Sequence, residues 1–163
     1  MSKSRSLARQ CLALATVLWS AAGYADEAMT VSGAWVREAP SHAEVSAAYL
    51  TIHNPSTQTH TLTGVGSPQF QRAEIHSTRM INGQMHMQKL AEVAVAAQGT
   101  LEFKPGEYHI MLIQPLHPLK TGDIIEMTLQ FKDGTHIAVQ APIRNSEEKD
   151  SEPHHHDMGD MKM

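Results

Sequence analysis

Short β-rich runs recur about every ten residues between positions 29 and 141, and in many of them apolar residues alternate with polar ones. This period of two is typical of strands with one buried face, and no stretch carries the period of a long helix. The segment Ala91–Ala97 is compatible with one helical turn. The predicted strands are Met29–Arg37, Ala47–Asn54, Thr61–Val65, Arg72–Met80, Gln84–Leu90, Gly99–Phe103, His109–Gln114, Ile124–Phe131 and His136–Ala141.

Turn-forming residues separate these runs, as expected for strands that fold back on one another. They are Asn54-Pro55-Ser56, Asn82-Gly83, Lys104-Pro105-Gly106, Thr121-Gly122-Asp123 and Lys132-Asp133-Gly134. Many short strands at this spacing predict an all-β fold, built as an antiparallel sandwich or barrel.

Residues 1–25 are typical of a secretory signal peptide, with three basic residues followed by the apolar run Cys11–Ala22 and small residues before a cleavage site after Ala25. The run is shorter than the roughly 20 apolar residues that span a bilayer. An uncleaved anchor is therefore the less favoured alternative, and no stable membrane insertion is expected after cleavage.

The composition changes again at Asn145, where a polar and charged stretch leads into the His/Met-rich segment Pro153–Met163. Such a stretch has no apolar residues to bury, so a disordered C-terminal tail is expected. The sequence thus predicts a signal peptide at 1–25, one β domain at 26–144, and a linker with a metal-binding tail at 145–163.

Charge and cysteine content exclude several functional classes. The formal net charge of −4 becomes −7 once the basic signal residues are removed, so binding to nucleic acid or to anionic membranes is not expected. Cys11 is the only cysteine and lies in the signal peptide, whereas a blue-copper electron-transfer site needs a cysteine thiolate. We find no candidate nucleophile–base pair and no acidic residues at catalytic spacing, so an enzyme is not expected.

Four residues, His76, Met87, His109 and Met111, follow the spacing H-x10-M-x21-H-x-M. Thioether sulfur is a soft ligand and imidazole a borderline one, so a His2Met2 set favours Cu(I) over hard cations. A sequestering protein for copper tolerance and a chaperone that delivers copper would both need this set. The competing interpretation is that the methionines fill the hydrophobic core.

The Asn82-Gly83 pair is the strongest short hairpin signal. A two-residue turn there would place Met80 opposite Met85 and Thr78 opposite Met87, so that His76, Met80, Met85 and Met87 share one face of the sheet. His109 and Met111 are two residues apart on a predicted strand, so their side chains point the same way. If that strand approaches the hairpin, a His2Met2 site follows.

Of the remaining histidines, His86 lies between two methionines but is expected to point away from the site, and the others divide into two groups. Isolated ones are expected at the surface or in hydrogen bonds, namely His42, His53, His60, His117 and His136. The tail clusters its histidines with methionines, which is a composition that binds Cu(II), and the alternative is a polar end with no metal-binding role. The candidate tail ligands are His154, His155, His156, Met158, Met161 and Met163.

The four-residue motif, together with the runs Gly33–Arg37, Ala47–Leu50 and His109–Leu112, resembles the PCuAC family of periplasmic copper chaperones over about Ala28 to Ile143. The resemblance implies a cupredoxin-like β-sandwich that binds Cu(I) through the four motif residues. It also implies copper delivery towards the CuA centre of cytochrome c oxidase, with a Sco-type protein and oxidase subunit II as partners. Some members carry a C-terminal extension that takes Cu(II). Many relatives have methionine two residues after the first histidine, where this chain has Thr78.

Overall fold

The computed structural model describes residues 28–40 and 43–145, which form ten β-strands. None of the described elements is a helix long and apolar enough to cross a membrane. The strands are β1 (Thr30–Arg37), β2 (Val45–Asn54), β3 (His60–Gly66), β4 (Phe70–Ile81), β5 (Gln84–Leu90), β6 (Val93–Val95), β7 (Gly99–Phe103), β8 (Tyr108–Pro115), β9 (Ile124–Phe131) and β10 (His136–Arg144).

All nine predicted strands are present, and the expectation of an all-β sandwich is confirmed. The helical turn considered for Ala91–Ala97 is wrong, because Val93–Val95 forms β6 instead. This short strand pairs with β3, with Thr61 opposite Ala94, and it buries Val95 completely in the core. Two β-branched side chains in three residues suit a pleated surface, but the run is too short to show alternation.

The strands follow one another in the order β5-β4-β8-β7-β2-β1-β10-β9-β3-β6, and the first residues of β2 also pair directly with β8. Most neighbours are antiparallel, as expected, but β1 pairs with β10 and β7 pairs with β8 in parallel. The first strand, β1, lies between β2 and the last strand, β10. The sheet is therefore mixed and not purely antiparallel.

One row of buried side chains crosses five strands and fixes which residues face inward. Its members are opposed in register from β10 to β4, and each is at most 4% exposed: Ile143, Val36, Ala48, Ile110 and Ile75. Full burial of a large aliphatic side chain stabilises the fold by about 1.5–3 kcal/mol. A slip of one residue would turn this row to solvent, so the register is strongly specified. The residues on either side of the row consequently point to the outer face.

Polar side chains tie the turn between β2 and β3 to the turn between β9 and β10. The His60 ring contacts the Asp133 carboxylate at 2.6 Å through Nδ1 and the Ser56 hydroxyl at 3.1 Å through Nε2. A serine, a histidine and an aspartate are thus connected in series, which corrects the expectation that the chain holds no nucleophile–base pair. Ser56 is only 3% exposed, and its Oγ also lies 3.1 Å from the Gln58 carbonyl oxygen. The Ser56 hydroxyl is therefore buried and engaged within the fold, and we call the cluster of Ser56, His60 and Asp133 the latch.

The latch predicts an acid-dependent loss of stability. Hydrogen bonds from the backbone and side chain of Thr135, and then from His60, hold the pKa of Asp133 below its usual value. A lowered folded-state pKa stabilises the protein above the unfolded-state pKa, and this stabilisation is lost as the pH falls through the folded-state value. We expect Asp133→Asn to lower the free energy of unfolding at pH 5, and the difference from wild type to shrink towards pH 3. Urea unfolding followed by Trp35 fluorescence measures it, and a difference equal at both pH values would contradict the prediction.

Candidate metal centre

The two motif histidines meet across the neighbouring strands β4 and β8. His76 lies directly opposite His109 in the antiparallel register, and their ring centroids are 5.7 Å apart with planes inclined by 35°. Both flank the buried pair Ile75 and Ile110, so both project from the outer face of the sheet. Residues 33 positions apart in sequence are thus brought together by strand pairing alone.

The two motif methionines lie on this same face, one on each side of the histidine pair. Met111 follows His109 by two residues on β8 and is opposite Glu74. Met87 is opposite Thr78 on β5, as the hairpin register predicted. The turn residues Asn82 and Gly83 both have positive φ, at 50° and 79°, which a two-residue turn of this kind requires. Three adjacent strands therefore present the four motif side chains from one face.

Each histidine has one ring nitrogen for which the described residues provide no hydrogen-bond partner. His76 Nε2 lies 3.0 Å from a Glu74 carboxylate oxygen, while its Nδ1 is buried with no partner among the described residues. His109 Nδ1 lies 3.2 Å from the Glu107 carbonyl oxygen. A carbonyl or carboxylate oxygen only accepts, so these nitrogens carry the hydrogens. The lone pairs are therefore at His76 Nδ1 and His109 Nε2, the arrangement found when a second group orients a metal-binding imidazole.

The surroundings favour a neutral imidazole at His109 and an ionised carboxylate at Glu74. Burial lowers the pKa of His109, and the nearby His76 and Arg37 act in the same direction. Hydrogen bonds from Lys89 and then from His76 lower the pKa of Glu74 to about 2. The Lys89 ammonium lies 2.8 Å from the second oxygen of the same carboxylate. Glu74 thus remains a hydrogen-bond acceptor at neutral pH. One of its carboxylate oxygens binds Lys89 and the other binds His76.

The site opens into a surface cavity of about 340 Å³ on the outer face. Met87, His109 and Met111 line it, together with Met85 and Thr78, and its far wall comes from β1 and β2. His76 is outside this lining, since its ring is turned towards Glu74. Met87 is 55% exposed, whereas His109 is only 6% exposed. The four motif residues are therefore buried at His109 and open to solvent at Met87. An incoming group can approach from the side of Met87.

Two other methionines stand at the tip of the hairpin. Met80 and Met85 oppose each other and are 67% and 66% exposed. Met85 lines the cavity and Met80 does not. Neither fills the core, which is also true of Met87. By contrast, Met127 is 1% exposed and belongs to the hydrophobic core.

The histidines outside the motif do not contribute to this site where the structure describes them. His53 contacts Thr100, and His60 belongs to the latch described above, as expected for hydrogen-bonded residues. His42 lies outside the described residues, and so do the signal peptide and the candidate tail ligands His154, His155, His156, Met158, Met161 and Met163.

Sequence reasoning missed the residues that support the histidines. Glu74 and Lys89 bind each other and orient His76, although nothing in the motif names them. A signal was present for Glu74, because a residue two positions from His76 on a strand shares its face. Arg37 and Tyr49 were also missed, and the Arg37 guanidinium carbon lies 5.6 Å from the centre of the Tyr49 ring at the far wall. No local pattern links these two residues to the motif.

Comparison with known proteins identifies the family of this chain. The family described as LpqE-like putative lipoproteins matches residues 29–143. Putative lipoprotein Lxx21020 of Leifsonia xyli subsp. xyli is 32% identical over 120 residues, covering 73% of this chain and 71% of that protein.

Solved structures share the fold. The solution structure of Cu(I)-bound DR1885 from Deinococcus radiodurans superposes with a TM-score of 0.63 at 30% identity, covering 77% of this chain and 84% of that one. The copper-bound PCuAC domain from PmoF2 gives a TM-score of 0.62 at 20% identity, covering 75% and 97% of the two chains. The expected cupredoxin-like fold class is therefore confirmed.

The hydrogen bonds of His76 predict its tautomer in the metal-free protein. We expect the hydrogen on Nε2 at pH 8, where an ordinary imidazole is neutral, because ionised Glu74 accepts from that atom. Glu74→Ala removes the acceptor and should give a mixture of tautomers. Nitrogen-15 spectra of the imidazole rings distinguish the two forms. Glu102→Ala, which removes an exposed carboxylate paired with Lys104, is the matched control. A wild-type His76 with its hydrogen on Nδ1 would contradict the assignment.

Proposed function

This chain belongs to the LpqE-like family of putative lipoproteins and has the fold of PCuAC domains, and from this premise we propose that it is a copper metallochaperone. Cu(I) is its cargo, and His76, Met87, His109 and Met111 are its ligands. The observation that carries the proposal is the free nitrogen on each of two neighbouring histidines, on the same face as two thioethers. The copper-loaded state of two structural neighbours supports the choice of metal.

The donor set explains the preference for Cu(I). Thioethers are soft and uncharged, so they bind Cu(I) and compete poorly for Zn²⁺, whose sites use cysteine, histidine and carboxylate. They also carry no proton that must leave before the metal binds, unlike a thiol. Neutral imidazoles complete the set, and the lowered pKa of His109 keeps its lone pair available.

The uneven exposure of the ligands suggests how copper leaves. Met87 is exposed at the open side, whereas His109 is buried behind it. A soft ligand from a partner can therefore displace Met87 first and then the deeper ligands one at a time. Such stepwise exchange never leaves the metal without protein ligands. The rigid sheet would keep the vacated ligands in place for the next ion.

The destination of the copper follows from the resemblance to PCuAC chaperones. We infer delivery towards the CuA centre of cytochrome c oxidase, through a Sco-type protein or directly to oxidase subunit II. The periplasm is the expected compartment, with residues 1–25 as signal peptide and residues 26–144 as the copper-binding domain. The lipoprotein description of the family supports an extracytoplasmic protein.

The tail is proposed to capture Cu(II) through His154, His155, His156 and the methionines that follow them. Adjacent imidazoles bind Cu(II) well, whereas the thioether-rich domain site favours the reduced ion. If Cu(II) binding were unchanged after replacement of the three histidines by glutamine, this role would be wrong.

Storage of copper without delivery is the alternative, since it needs the same ligands. A deletion strain grown under copper limitation separates the two functions. Delivery predicts low cytochrome c oxidase activity, restored by the wild-type gene and not by a Met87→Ala/Met111→Ala variant. Normal oxidase activity together with increased sensitivity to excess copper would favour storage.

The ligand assignment predicts the effect of methionine truncation on Cu(I) affinity. Anaerobic titration against a competing chelator should give one-to-one binding by the wild-type protein. Met87→Ala and Met111→Ala should each weaken it by at least about tenfold, or roughly 1.4 kcal/mol, and the double variant should lose the site. Met80→Ala is the matched control, because Met80 is another exposed methionine of the same hairpin but lies outside the cavity. Equal affinity in the double variant would show that the thioethers are not ligands.

A further inference from the structure

The described chain ends beside the cavity that contains the candidate copper ligands. Arg144, the last residue of β10, is paired in register with Arg37 at the end of β1. The Glu38 backbone N–H donates to the Arg144 carbonyl at 2.9 Å. Arg37 and Glu38 both line the cavity. Residues 146–163 therefore continue from a point at the cavity wall.

The distances allow the tail to reach the site from this point. The strands β10, β1, β2 and β8 lie side by side at this end of the sheet, where Ala47 of β2 is opposite Met111 of β8. Three strand spacings amount to about 14 Å. The nine residues from Asn145 to His154 can span up to about 30 Å when extended. The segment Pro153–Met163 can thus cover the cavity of its own domain without strain.

The cavity wall carries a cation, Arg37, for which the described residues provide no counter-charge. Arg37 forms no ion pair with any residue of the described ranges, and its Nε is buried there without a hydrogen-bond partner. Its guanidinium instead lies against the Tyr49 ring. Residues 146–163 contain six acidic and two basic residues, and Asp157 and Asp160 stand among the tail methionines. A carboxylate is the partner that a guanidinium binds most strongly.

The rest of the cavity suits methionine side chains. Its lining includes the thioethers of Met85, Met87 and Met111, together with Val45, which is 41% exposed. Methionine has a flexible and polarizable side chain that adapts to irregular apolar surfaces. The tail offers Met158, Met161 and Met163 within six residues.

We propose that the segment Pro153–Met163 docks in this cavity of its own domain, with an aspartate on Arg37 and its methionines over Met87 and Met111. Because the segment is tethered, its effective concentration at the cavity is of millimolar order, which a second molecule does not reach at ordinary protein concentrations. Docking needs no metal and no redox step. Its purpose rests on the proposed function, since it would hold a Cu(II)-binding segment against the Cu(I) site.

A nitroxide on the tail tests this contact in the copper-free protein. The chain from residue 26 onwards contains no cysteine, so Gly159→Cys provides a single attachment point that leaves the histidines, methionines and aspartates intact. We expect the amide signals of Ala47 and Met111 to lose intensity, and to recover when the nitroxide is reduced. Thr61 and Ala94 are internal controls, since β3 and β6 pack near Asn54, at the end of β2 opposite to the cavity.

Two comparisons identify the occupant and the contact. In a mixture of nitrogen-15-labelled chains without nitroxide and unlabelled chains with it, the same signals should keep their intensity. Arg37→Gln should reduce the intensity loss within one chain, and Arg72→Gln, on an exposed part of β4 outside the cavity, should not. Loss of intensity in the mixture would assign the contact to a neighbouring molecule, and no loss in either sample would exclude docking; both overturn the proposal. Because no copper is present, these outcomes are independent of whether the domain binds Cu(I).

Discussion

The pairing of β4 with β8 places His76 directly opposite His109, and the geometry of the candidate site is built around that register. It brings the two rings to 5.7 Å and sets Met111 opposite Glu74. The register is maintained by the buried row from Ile143 to Ile75 on the other face of the same strands. The hydrophobic core thus positions the candidate ligands on the outer face, because a slip of one residue would expose the buried row and turn these side chains inward.

Around this pair, the outer face is organised by acceptors and charges. Glu74 accepts a hydrogen bond from His76 Nε2, and the Glu107 carbonyl accepts one from His109 Nδ1. The other nitrogen of each ring has no hydrogen-bond partner among the described residues. Lys89 holds Glu74, and Arg37 stands at the far wall against Tyr49. The domain therefore presents two oriented imidazole rings beside two thioethers at a surface opening. Such an arrangement suits a metal that must be released as well as bound.

Much of this arrangement could be predicted from the sequence, and the limits have physical causes. The Asn82-Gly83 turn determined the register of β4 with β5, since both residues need positive φ, and Thr78 does face Met87. That β8 is the other neighbour of β4 could not be deduced, because strand order depends on long-range packing. β6 was missed because three residues carry no periodicity. The latch between His60 and Asp133 joins residues 73 positions apart, and no local signal connects them.

Two thioethers and two imidazoles are proposed to bind one copper ion. X-ray absorption at the copper edge of the Cu(I)-loaded protein tests it most directly, because sulfur and nitrogen scatterers are distinguished around the metal itself. The proposed ligand set predicts two sulfur and two nitrogen neighbours of copper in the wild-type protein, and one sulfur neighbour in Met87→Ala. A first shell of nitrogen and oxygen alone would contradict it.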